Sequence, residues 1–82
     1  MFHIRLKLLR ELMNLTQTEM ATILDMAPNA YQRYELGTRQ PKFDVLIKLA
    51  NYFCVSTDYL LGRSDDPEWQ KYLSPTKEIF NP

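Results

Sequence analysis

Through the first 62 residues apolar side chains recur at steps of three and four, and each such run is short, closed by a cap or a helix breaker. A period near 3.6 lines one face of a helix, whereas a half-buried strand needs strict alternation, and no such alternation occurs. The chain is therefore expected to be all-α. Phe2, Leu6, Leu9 and Met13 share one face and predict a first helix from Phe2 to Met13. Asn14 follows as its stop, because Asn tolerates the left-handed backbone of helix ends. Thr16-Gln17-Thr18-Glu19 has the form of a capping box, a hydroxyl with a Glu three residues on, and opens a second helix that ends near Leu24. Asp25-Met26-Ala27 reads as a tight turn with Asp25 at positive φ. Pro28 suits the first turn of a third helix running to Glu35, with Gly37 as its stop. A polar loop, Thr38 to Lys42, leads to a fourth helix from Phe43 to Phe53. Ser56 caps a short fifth helix, Thr57 to Leu61, which ends at Gly62. Residues 1–63 thus read as one five-helix domain.

Beyond Arg63 the composition changes, and residues 64–82 read as an aromatic, acidic extension. Asp66-Pro67 is a helix start signal, and Trp69, Tyr72 and Leu73 follow at helical spacing, which predicts a sixth, two-turn helix near 67–73. Ser74-Pro75 breaks it. The formal net charge of the 82 residues is zero, but unevenly so: residues 1–63 carry eight basic and six acidic side chains, residues 64–82 two and four. Balanced charge does not by itself announce a nucleic-acid partner. Other classes are excluded more firmly. A single cysteine, Cys54, allows no intrachain disulfide and suits a reducing cytoplasm, and is expected to be a small buried apolar residue. One Cys and one His cannot build a structural zinc site, and two glycines cannot build a Gly-rich phosphate loop. No apolar run approaches a membrane span, and no signal peptide is legible. There is no paired-carboxylate, Cys/His/Asp or nucleophilic Ser arrangement, so no enzyme activity, cofactor, metal or small-molecule ligand is expected.

The stretch from Thr16 to Glu35 carries the chemistry. Two helices joined by a turn of three to four residues form a helix-turn-helix, whose second helix can enter a DNA major groove. The spacing turns Leu15, Met20, Ala21, Leu24, Met26 and Tyr31 inward and leaves Ala27, Pro28, Asn29, Gln32 and Arg33 facing out. Asn and Gln bond adenine bidentately and Arg bonds guanine likewise, so this outward face has the functional groups of base readout.

The Leu-Thr-Gln-x-Glu-x-Ala run at 15–21, Arg-Tyr-Glu-x-Gly at 33–37, Pro41, Leu-x-Lys-Leu-Ala at 46–50, Val55-Ser56 and Leu60-Leu61 follow in one order. Together, over about residues 2–62, they resemble the lambda-repressor-like, or xenobiotic-response-element (XRE), helix-turn-helix family. The resemblance implies a five-helix domain that binds double-stranded DNA sequence-specifically, usually as a two-fold homodimer, to control transcription, as in repressors of prophages and mobile elements. It implies base reading by Pro28, Asn29, Gln32 and Arg33. Pro28 departs from the long polar side chain common there and offers only apolar contact, as to a thymine methyl. It implies phosphate contacts from Thr16, Gln17, Ala27, Tyr34, Arg39, Gln40 and Lys42, with Ala27 lacking the Ser/Thr hydroxyl common at its position. Tyr31 and Tyr34 read first as packing residues. Arg10 and Glu35 match a structural ion pair of the family. Cys54 stands where relatives often carry Gly, which puts backbone strain or an altered turn at that point.

Two features lie outside that scheme. Ile4, Leu8 and Leu12 form a second apolar stripe on the first helix, and the extension brings Trp69, Tyr72, Leu73, Ile79 and Phe80. Two apolar surfaces in so small a chain are expected to meet, in cis or across a dimer. The competing functional reading is a protein-interaction module, antitoxin-like or anti-repressor, built on the same fold; the acidic, aromatic extension favours it.

Overall fold

The computed structural model describes residues 1–66. Its order is α1 (Phe2–Leu12), α2 (Gln17–Ile23), α3 (Pro28–Leu36), α4 (Phe43–Phe53) and α5 (Thr57–Leu61), with no strand among the described residues. The expected sixth helix near 67–73, with Trp69, Tyr72 and Leu73, lies outside the described residues.

Local chemistry sets each boundary. Thr16 and Glu19 form the reciprocal capping box: the Thr16 hydroxyl accepts from the Glu19 N–H at 3.0 Å, and the Glu19 carboxylate accepts from the Thr16 N–H at 2.8 Å. Two otherwise unsatisfied donors of α2 are thereby used. Ser56 caps α5 without the reciprocal partner, accepting from the Tyr59 N–H at 2.9 Å. Pro28 occupies the first turn of α3, where its missing N–H costs nothing. Asn14, Asp25, Cys54, Gly37 and Gly62 all adopt positive φ and close the five helical segments or the turns after them.

α2 packs on α3, α1 on α3 and α5, and α4 on α5. The core joins Leu6, Met20, Leu24, Tyr31, Tyr34, Leu46, Leu49, Phe53, Val55 and Leu60, with Ala21 and Ala50 where helices approach closely. Leu15 and Met26, expected to hold α2 against α3, pack at the margin of this core.

Two expectations about packing are corrected. Met13 was placed on the core face of α1, but the helix stops at Leu12 and Met13 is its C-cap, at φ −93° and ψ 7°. Leaving the helical path breaks the 3.6 register, and Met13 is 48% exposed. Cys54 was expected to be buried and is exposed. It is the left-handed C-cap of α4, at φ 57°, and the chain reverses there so that Phe53 and Val55 are buried on either side of it. An L side chain in this conformation carries roughly 1–2 kcal/mol of strain, and Gly gives back part of that as unfolded-state entropy. Cys54→Gly is therefore expected to stabilise the domain by about 0.5–1 kcal/mol, read as a higher urea midpoint with an unchanged slope. The Cys54 side chain gives up little, since its sulfur makes only a weak contact to the Asn51 carbonyl at 3.7 Å.

Arg5 ties the end of the described chain to α1. Its guanidinium donates to the Tyr59 carbonyl at 2.7 Å and to the Ser64 carbonyl, pairs with the Asp65 carboxylate at 2.7 Å, and stacks 4.2 Å from the centre of the Tyr59 ring. Ser64 and Asp65, beyond the expected boundary at Arg63, are thus held against the first helix.

Candidate nucleic-acid interface

The outward polar face expected from the sequence lies on α3. Tyr31 and Tyr34 point into the core, edge to face with ring centres 6.4 Å apart, and fix the rotation of the helix. That rotation leaves Ala27, Pro28, Asn29, Gln32 and Arg33 exposed on the other side. An apolar contact, two amides and a guanidinium therefore form one solvent-facing surface. Ala27 is the N-cap of α3 and makes no side-chain cap bond. Gly37, at φ 80°, ends the helix, and the N–H groups of Thr38 and Arg39 both return to the Arg33 carbonyl, at 3.1 and 3.3 Å. The loop carrying Arg39, Gln40 and Lys42 is consequently pinned to the end of α3, and all three side chains are exposed.

Beneath this surface lies one buried carboxylate. Glu35, at the inner side of α3, is 7% exposed. It accepts from Arg10 Nε at 2.6 Å and from a second Arg10 nitrogen at 3.1 Å, from Gln17 Nε2 at 3.0 Å, and from the Tyr31 hydroxyl. Arg10 also donates to the Leu15 carbonyl at 2.7 Å, just before α2. Three helices and the α1–α2 connection thus meet on Glu35. Burial pushes its carboxyl up, but the hydrogen bonds from Arg10, Tyr31 and Gln17 prevail and hold it below the ordinary carboxylate value. The hydrogen bond to Glu35 raises Arg10 further, against the opposing effect of burial. Burial, then the hydrogen bond to Glu35, raises the Tyr31 phenol well above its ordinary value.

The pairing of Arg10 with Glu35 matches the expectation. The geometry of Gln17 refines its own: one amide hydrogen is committed to Glu35, and the other remains on a half-buried side chain at the start of α2. Thr16 uses its hydroxyl oxygen as an acceptor in the capping box and keeps the O–H as a donor. Tyr34 is corrected. It is 3% exposed and belongs to the core, so it has almost no surface to offer a phosphate; Arg39 lies over its ring at 5.7 Å instead. Sequestering Glu35 also changes the charge of the face, which keeps Arg33, Arg39 and Lys42 outward while one of the nearby acids is turned in.

A family model described as helix-turn-helix matches residues 6–60, two thirds of the chain and all of the α2–α3 unit. The chain belongs to the helix-turn-helix family. Its five-helix arrangement is the lambda-repressor-like fold of the XRE-type members. Relatives include the HTH-type transcriptional regulator YqaE of Bacillus subtilis, 44% identical over 82 residues, covering 99% of this chain and 68% of that protein. ImmR, another HTH-type transcriptional regulator of Bacillus subtilis, is 44% identical over 61 residues, covering 74% of this chain and 48% of that protein. The cryptic phage CTXphi transcriptional repressor RstR of Vibrio cholerae is 33% identical over 70 residues, covering 85% and 62%. The chain thus spans about half to two thirds of these relatives. No solved structure matches it.

Within this helix-turn-helix domain the structure adds two features that sequence reasoning missed. Arg5 is the first; its acceptors are chiefly carbonyls more than fifty residues away, and backbone acceptors leave no mark in a sequence. The second is a face of α4, where Phe43 and Ile47, one turn apart, are 84% and 53% exposed. Beside them a cavity of about 230 Å³ is lined by Ile47, Ala50, Val55 and neighbouring polar residues. Unpartnered apolar residues one turn apart were the available signal. Among the described residues no helix is long and apolar enough to cross a membrane, and no cluster of three or more potential metal ligands occurs.

Proposed function

We propose that this chain is a sequence-specific DNA-binding transcriptional regulator, a repressor that binds a pseudo-palindromic operator as a homodimer with α3 in the major groove. The observation that carries this reading is the outward face of α3. Pro28, Asn29, Gln32 and Arg33 stand exposed together on a helix whose rotation is locked by two buried tyrosines and a buried carboxylate. Asn29 and Gln32 have the groups to read adenine, Arg33 to read guanine, and Pro28 to touch a thymine methyl. Arg39, Gln40 and Lys42 in the pinned loop, Thr16 and Gln17 at the start of α2, and the Ala27 backbone before α3 form the phosphate-contacting set around it. Such contacts position the helix and carry no sequence information themselves. The related repressor RstR and the regulators YqaE and ImmR support control of transcription as the outcome.

The exposed Phe43–Ile47 face supports a second copy as partner. In a two-fold dimer the recognition helices meet half-sites about one helical turn, roughly 34–36 Å, apart, and occupation of such a site blocks a promoter. A chain of zero formal charge gains little from non-specific attraction, so tight binding requires both halves of a matched site.

Selection of bound fragments from random DNA tests the proposal. The expected product is an inverted repeat with half-site centres one turn apart. If no sequence is enriched, the proposal fails and the protein-interaction reading replaces it.

A further inference from the structure

The outer face of α1 is apolar and bare among the described residues. Ile4, Leu8 and Leu12 are 57%, 45% and 69% exposed. None of them contributes to the core, and the α3 face and its loop do not include them. A concave groove of about 440 Å³ runs beside Ile4 and Leu8, bordered by His3, Lys7 and Glu11 and, from α3, by Glu35.

Where the chain goes after α5 points to the occupant. Gly62 closes that helix, the Arg63 and Ser64 N–H groups return to the Asp58 carbonyl at 2.8 and 3.3 Å, and Arg5 then seizes the Ser64 carbonyl and the Asp65 carboxylate. The chain is therefore delivered to α1 itself. It also arrives on the relevant side. At roughly 100° per residue, Leu12 lies about 20° from Arg5 around the helix, Leu8 about 60° and Ile4 about 100°, all in the same direction. The clamp therefore lies along one edge of the stripe.

Sixteen residues follow Asp66, and five of them are large and apolar: Trp69, Tyr72, Leu73, Ile79 and Phe80. Reach is sufficient. Even as one continuous helix those residues would run roughly 24 Å, against roughly 16 Å for the 11 residues of α1. An exposed apolar stripe beside a tethered apolar segment long enough to span it favours intramolecular association, because the tether keeps the effective concentration high at any protein concentration.

We propose that residues 67–82 dock in cis along the Ile4–Leu8–Leu12 face of α1, with Trp69, the first large apolar residue after the Arg5 clamp, seated in the groove beside Ile4 and Leu8. Trp69 is also the chain's only tryptophan, so its fluorescence reports this contact alone.

The test uses the full chain and a Leu8→Glu/Leu12→Glu variant, whose substitutions fall on exposed positions and leave the core intact. In the parent protein the Trp69 emission is expected to be blue-shifted and weakly quenched by acrylamide, and both properties should persist on dilution to a concentration where sedimentation shows monomer. In the variant the emission should move to that of a solvated indole and quenching should rise several-fold, with the helical circular dichroism unchanged. Solvated emission in the parent protein, or emission unmoved by the double substitution, would overturn the proposal. So would burial of Trp69 that disappears on dilution, which would assign the face to a second copy.

Discussion

Glu35→Ala is expected to remove most of the stability of the domain. A folded unit of this size holds about 3–10 kcal/mol against unfolding. Removing one partner of a buried, hydrogen-bonded ion pair costs about 3–5 kcal/mol, because the remaining charge is left buried without compensation. Here the loss is compounded: Arg10, the Gln17 amide and the Tyr31 hydroxyl all lose their acceptor at once. Arg10→Ala should cost a similar amount, since it strips Glu35 of two donors and the Leu15 carbonyl of a third. A double substitution to apolar residues of similar volume, Arg10→Met with Glu35→Leu, should cost distinctly less than the two single changes added together. Urea unfolding followed by circular dichroism gives all of these quantities. Single-variant losses under about 1 kcal/mol would mean that Glu35 does not organise the domain.

The same carboxylate sets the pH response. Its folded value is lowered, so it contributes stability that is fully present above its unfolded value, near 4.5, and lost as pH falls through the folded value. Tyr31 acts at the other end. Its folded value is raised, so its contribution is present below its unfolded value, near 10, and is lost as pH climbs above that. Stability is therefore expected to be flat between about pH 5 and 9 and to fall on either side. In Glu35→Gln the acid limb should be shallower, because the group that gains a proton on unfolding is gone.

How much of this was legible in the sequence depends on the range of each interaction. The caps, Pro28, Gly37 and Gly62 act within four residues, so the ends of α2, α3 and α5 follow from the local sequence alone. The positive φ at Asn14 and Asp25 was legible for the same reason. Arg10 and Glu35 are 25 residues apart, and only the family resemblance brought them together. Nothing local showed that Gln17 and Tyr31 would join them, since an amide fits equally well on a solvated helix face and an inward tyrosine does not reveal which acceptor its hydroxyl will meet. Met13 shows the limit of periodicity: it counts residues as though the helix continues, and α1 stops one residue early. Cys54 shows that residue-type preference for burial yields to backbone conformation at a C-cap. The outward set on α3 needed only the helical period and the position of the two tyrosines, and it is where the sequence placed it.

That outward set makes the sharpest functional prediction. Arg33→Ala should weaken operator binding by about 1–3 kcal/mol per half-site if Arg33 bonds a guanine bidentately. A symmetric dimer carries the residue twice, so the loss on a full operator is expected to be about 2–6 kcal/mol if the two sites act independently. The loss should be confined to operators that carry the preferred base, and the variant should become indifferent to substitutions at that position. Gln32→Ala should behave likewise at an adenine. Arg39→Ala and Lys42→Ala, in the loop pinned to the Arg33 carbonyl, should instead weaken all sequences alike and lower the slope of log affinity against log salt by about one for each phosphate no longer neutralised. Affinities of the four variants for a set of singly substituted operators, at three salt concentrations, separate these behaviours. Uniform weakening by Arg33→Ala, with a reduced salt slope, would move Arg33 to the phosphate-contacting set. Specificity would then rest on Asn29, Gln32 and the apolar edge of Pro28, which read adenine and thymine, so the selected half-site should then be A·T-rich and nearly free of guanine contacts.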